Sequence, residues 1–254
     1  GGYVVKISVT TPSIRPDALK IVAESLKKQD FKDWEWLIGS PKKLKDEIEK
    51  EIGGTISYRF IPEPPKRQGD FYNLNKCWNE LFRYAKGELI VNIVDGLWFP
   101  SDTLNILNIH YENNKQAIVG LIGHQYLEVQ NGRPEVLIWK DPRAQTKYGS
   151  FWEIEPIDQE WCLVAIPRQA LLDIGGVDAD NYDFAAACSE KEANLRMDKA
   201  GYRFFIDSTE YRAIRHERIG GSEEWDKHYE IACGLLEKHI HEIVSNNRLK
   251  LNYI

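Results

Sequence analysis

Three short segments carry side chains that could do chemistry. The first is Asp95, which directly follows the apolar run Leu89 to Val94 (LIVNIV) and precedes Gly96. That run reads as a strand buried on both faces. A carboxylate at its end is costly unless it is paired or holds a cation. Capping of the next helix would be the competing role, and Ser101 and Asp102 are better placed for it. The second segment is Ser189-Glu190-Lys191-Glu192, at the start of a helix pattern. Carboxylates near the positive end of a helix are also reasonable without any function. From the residues alone that reading wins for Glu192 and is evenly balanced for Glu190. The third is His216, set among Arg212, Arg215 and Arg218 and followed by Gly220-Gly221. That composition suits a mobile loop facing phosphate, although a lone histidine is more often structural.

The elements that must position these residues alternate. Tyr3 to Thr10 (YVVKISVT) predicts a strand, Pro16 to Lys28 a helix with Leu19, Val22 and Leu26 on one face, and Trp34 to Ile38 a second strand. Pro41 to Lys50 predicts an exposed helix and Ser57 to Ile61 a third strand. The rigid loop Pro62-Glu63-Pro64-Pro65 follows. Asp70 then caps a helix with Phe71, Leu74, Trp78, Leu81 and Ala85 at helical spacing, ended by Gly87. This βαβαβαβ order predicts a parallel, doubly wound sheet. Its ligand sites should lie outside the carboxyl ends of the strands.

The second half is mixed. Helices are expected over Ser101 to Tyr111, Pro167 to Ile174 and Glu190 to Ala200, and strands over Ala117 to Gly120, Trp161 to Ile166 and Arg203 to Ile206. Asn131-Gly132 between two apolar stretches predicts a small antiparallel hairpin. Ser222 opens a last helix with Trp225, Tyr229, Ala232, Leu236, Ile240 and Ile243 on one face. No linker divides the chain, so one domain with two functional halves is expected.

Composition excludes several classes. With 43% hydrophobic residues among 254, disorder is excluded as the main state. A net charge of −6 gives no strong nucleic-acid signal, and the apolar runs are too short for a membrane span. Cys77, Cys162, Cys188 and Cys233 show no CxxC or metal-finger spacing. Together with the lack of a signal peptide, this predicts a reduced, cytoplasmic protein.

In order and spacing, three segments together resemble family-2 glycosyltransferases of the GT-A fold. The opening ISVTTPSIRPDALKIVAESLKKQDFKDWEWLI is similar to that family's strand, Thr-Pro, Arg, helix and second strand. AKGELIVNIVDGLWFPSDTL resembles its DxD segment, and LLDIGGVDADNYDFAAACSEKEANLRMDKAGYRF its late acidic helix segment. The resemblance implies a single GT-A-type α/β domain. Residues 1–100 form a nucleotide-sugar-binding half, 101–221 an acceptor and catalytic half, and 222–254 a C-terminal helix. It implies that Thr11, Pro12, Arg15, Gln68, Gly69, Asp70, Asp95 and Gly96 border a nucleotide-diphosphate sugar, best a UDP-sugar. It further implies that Asp95 and His216 hold Mn²⁺ or Mg²⁺, and that Glu190 is the general base of an inverting transfer. Trp98, Trp161 and Glu192 are the acceptor-side candidates, with a glycan hydroxyl as the expected acceptor. Core packing explains the tryptophans about equally well.

The chain departs from the family pattern at definite positions. Ile93 stands where the first Asp of DxD belongs, Gly39-Ser40 where an Asp usually reads the base, and Ser189-Glu190 where the family has Glu-Asp. These departures support, as the alternative, a catalytically degenerate nucleotide- or carbohydrate-binding module on the same fold. A nucleotidyltransferase ranks last, because Thr11 to Arg15 lacks the glycine-rich loop. The segment from Tyr211 to Ser222 is expected to close over the diphosphate.

Overall fold

The computed structural model describes residues 5–127, 129–130, 133–146, 150–185, 187–215 and 221–254. Its centre is a strand stretch that the sequence makes apolar throughout. β1 (Ile7–Pro12) and β4 (Leu89–Ile93) are buried along their whole length and pair in parallel. β2 (Trp34–Ser40) and β3 (Arg59–Pro62) extend the sheet in parallel on the far side of β1. On the other side of β4 lies the antiparallel β11 (Leu163–Pro167), then β6 (Ala117–Tyr126), which is paired in parallel with β12 (Arg203–Ile214). The full path is β10-β12-β6-β11-β4-β1-β2-β3, with β10 (Phe151–Glu153) antiparallel at the edge. The short β5 (Leu97–Trp98) pairs with β12, and β9 (Leu137–Trp139) with β6.

Alternation along the strands divides the core into two apolar layers. Ile7, Val9, Leu89, Val91 and Ile93 point to the face covered by α1 (Leu19–Lys27), α2 (Lys45–Ile52) and α4 (Thr103–Asn113). Leu37, Ile90, Val164 and Ile166 point to the face covered by α3 (Leu74–Tyr84), α6 (Arg168–Ile174) and α8 (Ser189–Lys199). Between β9 and β10 lies the single turn α5 (Arg143–Thr146). α7 (Ala179–Tyr182) is a further single turn, and α9 (Gly221–Val244) closes the order.

Several boundaries differ from the sequence reading. β6 runs on to Tyr126 and β12 to Ile214, because the two strands pair over most of their length across a bulge between Asp207 and Glu210. Tyr211 to Ile214, expected to belong to a closing segment, are therefore strand residues, with Tyr211 buried; residues 216–220 lie outside the described residues. The expected hairpin is present as β7 (Val129–Gln130) paired with β8 (Arg133–Pro134); its Asn131-Gly132 turn lies outside the described residues. Asp70 does not cap α3, which begins four residues later. Asp183 does so from the second half: its carboxylate accepts the backbone amides of Asn75 at 2.8 Å and Lys76 at 3.1 Å. Among the described residues no helix is long and apolar enough to cross a membrane.

Candidate functional site

The carboxyl ends of β1, β3 and β4 surround a cleft of about 430 Å³, within the size range of ligand pockets. Its walls include Pro12, Ser13 and Arg15 after β1, Glu63 and Lys66 after β3, Phe71 and Tyr72 ahead of α3, and Asp95 after β4. A roomier, polar cavity of about 740 Å³ is lined by Glu153, Asp198 and Arg203. It sits where β12 begins, at the opposite end of the parallel strands, so the ligand rule for open sheets selects the first cleft.

Asp95 is 4% exposed, and its charge is met from β1's loop. The Ser13 hydroxyl donates to Oδ2 at 2.6 Å, and Arg15 donates from Nη2 to Oδ1 at 2.5 Å and from Nε to Oδ2 at 3.3 Å. Gly96, at a φ of +71°, turns the chain out of the strand. Its amide donates to the Ala18 carbonyl, and its own carbonyl accepts from Ile214 of β12. Glu63 faces the same cleft. Burial pushes its carboxyl above the usual range, against the opposing pull of Asn73 and the Lys66 charge. The amide of Glu63 is held by the Ser40 carbonyl at 3.0 Å. Glu63 was not among the sequence candidates, although the proline-rich loop that fixes it was visible.

Glu190 opens α8 in the second position, partly buried. α8 leads into β12, which starts at the opposite end of the sheet, so its N-terminus lies at the cleft end. Burial raises the Glu190 carboxyl above its ordinary range. Its own backbone amide and Lys191 oppose that shift, and Glu160 reinforces it. Glu190 and Glu160 also act on Cys162, whose carbonyl accepts the Val94 amide at 2.9 Å, one residue before Asp95.

Other expected residues are placed elsewhere. Trp161 is 3% exposed, edge-on to Trp78 and Phe82, with its indole N–H bonded to Asn194 at 2.9 Å. It is a core residue and offers no face to an acceptor. Glu192 is fully buried, paired with Arg196 at 2.8 Å and Arg248 at 2.9 Å, so it is structural as well. Thr11 is buried and accepts the Trp36 indole N–H at 3.0 Å, away from the cleft. Asp70 is tied up by Arg67 and Lys76, while Gln68 and Gly69 are exposed beyond the cleft walls. Trp98 remains half-buried on β5, three residues from Asp95, with the Arg212 guanidinium 5.5 Å from its ring. His216 lies outside the described residues.

The metal reading fits this site poorly. Asn92, the polar neighbour that could have compensated for Ile93, is consumed. It accepts from Trp78 at 2.9 Å and Thr10 at 3.3 Å and donates to the Trp161 carbonyl. Ile93 itself is in the core. Among the described residues no group of three or more His, Cys, Asp or Glu side chains could hold a metal ion. Mg²⁺ or Mn²⁺ at a diphosphate is commonly held by one or two carboxylates together with phosphate oxygens and water, and here the carboxylate that would serve, Asp95, is already paired with Arg15.

The sequence predicts α9 but not its place at the cleft. The helix lays His228 against Phe71, with ring centroids 4.1 Å apart, and its Trp225 indole donates to the Tyr72 hydroxyl at 2.9 Å. The cleft wall is thus finished by a helix whose Trp225 lies 153 residues after Tyr72 in the chain.

No family model matches the chain, and no curated protein matches it. Its fold does have solved counterparts. The structure of S. aureus TarS in complex with UDP superposes with a TM-score of 0.57 at 14% identity, over 95% of this chain and 70% of that one. TarS in complex with UDP-GlcNAc gives 0.62 at 14% identity, over 92% and 66%. GalNAc-T7 with UDP, GalNAc and Mn²⁺ gives 0.64 at 12% identity, over 92% of this chain and 48% of that one. Both are glycosyltransferases of GT-A fold. The parallel β3-β2-β1-β4 half, the antiparallel β11 after it and the cleft at the strand ends together give this chain a GT-A-type fold.

Proposed function

We propose that the chain transfers a sugar from a nucleotide-diphosphate donor, a UDP-sugar first among them, to a hydroxyl of a glycan or other acceptor, with inversion. The carrying observation is one cleft at the strand ends holding the cations Arg15 and Lys66, with Glu190 at the same end of the sheet. The structural likeness to proteins solved with UDP and UDP-GlcNAc supports the donor class.

In this reading the bond between the sugar's anomeric carbon and the β-phosphate oxygen breaks, and negative charge grows on the departing diphosphate. Cations in the cleft wall meet that charge. The acceptor oxygen attacks from the opposite face, and its proton passes to the Glu190 carboxylate. Burial raises the Glu190 carboxyl above its ordinary range, which strengthens it as a base. Of the two tryptophans named for the acceptor side, Trp98 keeps an accessible aromatic face. The resemblance and the Mn²⁺ bound to GalNAc-T7 favour a divalent ion, but among the described residues the carboxylate placed for it, Asp95, is occupied by Arg15.

The test is transfer or donor hydrolysis across a panel of UDP-, GDP-, dTDP- and CDP-sugars. Glu190→Gln should lower kcat by about 10²–10⁴-fold and leave the melting temperature near that of the parent. Activity should fall as the pH drops through the raised Glu190 value, and this acid limb should vanish in the variant. A parent protein that binds UDP yet turns over no donor would favour the alternative, a degenerate binding module, to which Ile93 in the core already points.

A further inference from the structure

We infer that the Arg15 guanidinium, oriented by Asp95 and Ser13, supplies the positive charge that neutralises the donor diphosphate, in place of a divalent cation. This rests on the donor reading above and changes how that site works. Asp95 engages Arg15 through both of its oxygens, using the Nε and Nη2 donors. A guanidinium carries five N–H donors, so three remain for a ligand. The Arg15 side chain is 36% exposed in the cleft wall while Asp95 is sealed. The carboxylate therefore faces inward as an anchor, and the cation faces the ligand.

Ser13 fixes the arrangement further. Its hydroxyl donates to Asp95 at 2.6 Å and accepts the Arg15 amide at 3.0 Å, locking the loop that carries the arginine. Lys66, on the opposite wall, is held by the Phe71 carbonyl at 2.9 Å and adds a second cation. Planar guanidinium groups match phosphate oxygens bidentately, whereas a lysine acts as a point charge. A metal at Asp95 would have to displace Arg15 from the carboxylate or sit beside it, two like charges sharing one carboxylate.

The experiment is calorimetric titration of the full chain with UDP, GDP, dTDP and CDP, in EDTA and again in Mn²⁺. The nucleotide that binds should do so with the same Kd in both. Arg15→Ala should weaken it by about 10–100-fold while leaving the corresponding nucleoside unaffected. Arg15→Lys keeps the ion pair that Asp95 needs for folding; it should melt near the parent, bind several-fold more weakly and remain indifferent to EDTA. Asp95→Asn should cost less than Arg15→Ala, because the guanidinium stays. Binding that requires Mn²⁺, or an Asp95→Asn loss larger than that of Arg15→Ala, would overturn the role of Arg15 and leave the donor reading standing. No binding of any nucleotide in either buffer would bring down the donor reading and this inference together.

Discussion

Two buried carboxylate–arginine pairs occupy the two halves of this molecule, and they behave as opposites. Asp95 meets Arg15 at the mouth of a cleft, where the cation keeps a third of its side-chain surface in solvent. Glu192 meets Arg196 and Arg248 beneath α8, where Glu192 and Arg196 have no exposed surface at all. Arg196 also donates to the carbonyls of Ile174 at 2.7 Å and Gly176 at 2.9 Å, so it finishes the C-terminus of α6. Gly175 permits that junction: at φ +69° it leaves room for the Leu251 carbonyl, which a Cβ would meet at 1.6 Å. Burial of a carboxylate is therefore not the mark of a functional site. What distinguishes the two pairs is whether the counter-ion still faces a space that a ligand could enter.

Breaking the sealed pair should have the largest effect. Glu192→Ala leaves Arg196 charged, buried and without its carboxylate, and removes a partner of Arg248 as well. Loss of one member of a buried pair costs about 3–5 kcal/mol, so urea unfolding should show a loss of that size. A loss below 1 kcal/mol would mean that water or a shifted Asp178 replaces the carboxylate, and the contrast between the pairs would fail. The matching change at the cleft is Asp95→Ala. Arg15 can turn to solvent there, so only charge-assisted hydrogen bonds are lost, about 1.5–3 kcal/mol. If it destabilised as much as Glu192→Ala, Arg15 would not be free to face a ligand.

The sheet and its helices were legible because their signals are local. LIVNIV could only be a central strand, and the spacing of Leu19, Val22 and Leu26 could only cover one face. Asp95 was legible for the same reason, being a charge at the end of an apolar run. What was not legible depends on partners distant in sequence. Nothing near Trp161 shows that Trp78 and Phe82 cover it, and nothing near Glu192 announces Arg248, 56 residues later. Gly39 illustrates a departure with a packing cause. A Cβ there would approach Cys77 Sγ to 2.4 Å, so the close fit of α3 on β2 excludes the Asp that the resemblance led one to expect. Glu63, one strand further on, puts a carboxylate on the same cleft by another route.

The smallest expected effect sharpens the comparison by separating burial from pairing. Asp178 and Asp183 are both buried and five residues apart, yet they shift in opposite directions. For Asp183 burial dominates, and the Asn75 and Lys76 amides only partly offset it, so its carboxyl titrates above the ordinary range. For Asp178 burial also pushes upward, but Asn181 and the Arg248 charge outweigh it and hold the carboxyl low. A carboxyl lowered in the folded state stabilises the fold above its unfolded value, 3.8, and loses that contribution as the pH falls through the folded value. Asp178→Asn keeps the cap on α7, since Asn is as good a helix cap as Asp. It should therefore lose the charge interaction with Arg248 and the oxygen that accepts the Asn181 side-chain amide, about 1.5 kcal/mol at pH 7. That gap from the parent should close as the pH is lowered below 3.8. Unfolding curves collected from pH 7 downward measure it directly. A gap that stayed constant with pH would show that Arg248 holds the tail by shape and hydrogen bonding to Glu192, and that its charge on Asp178 contributes nothing.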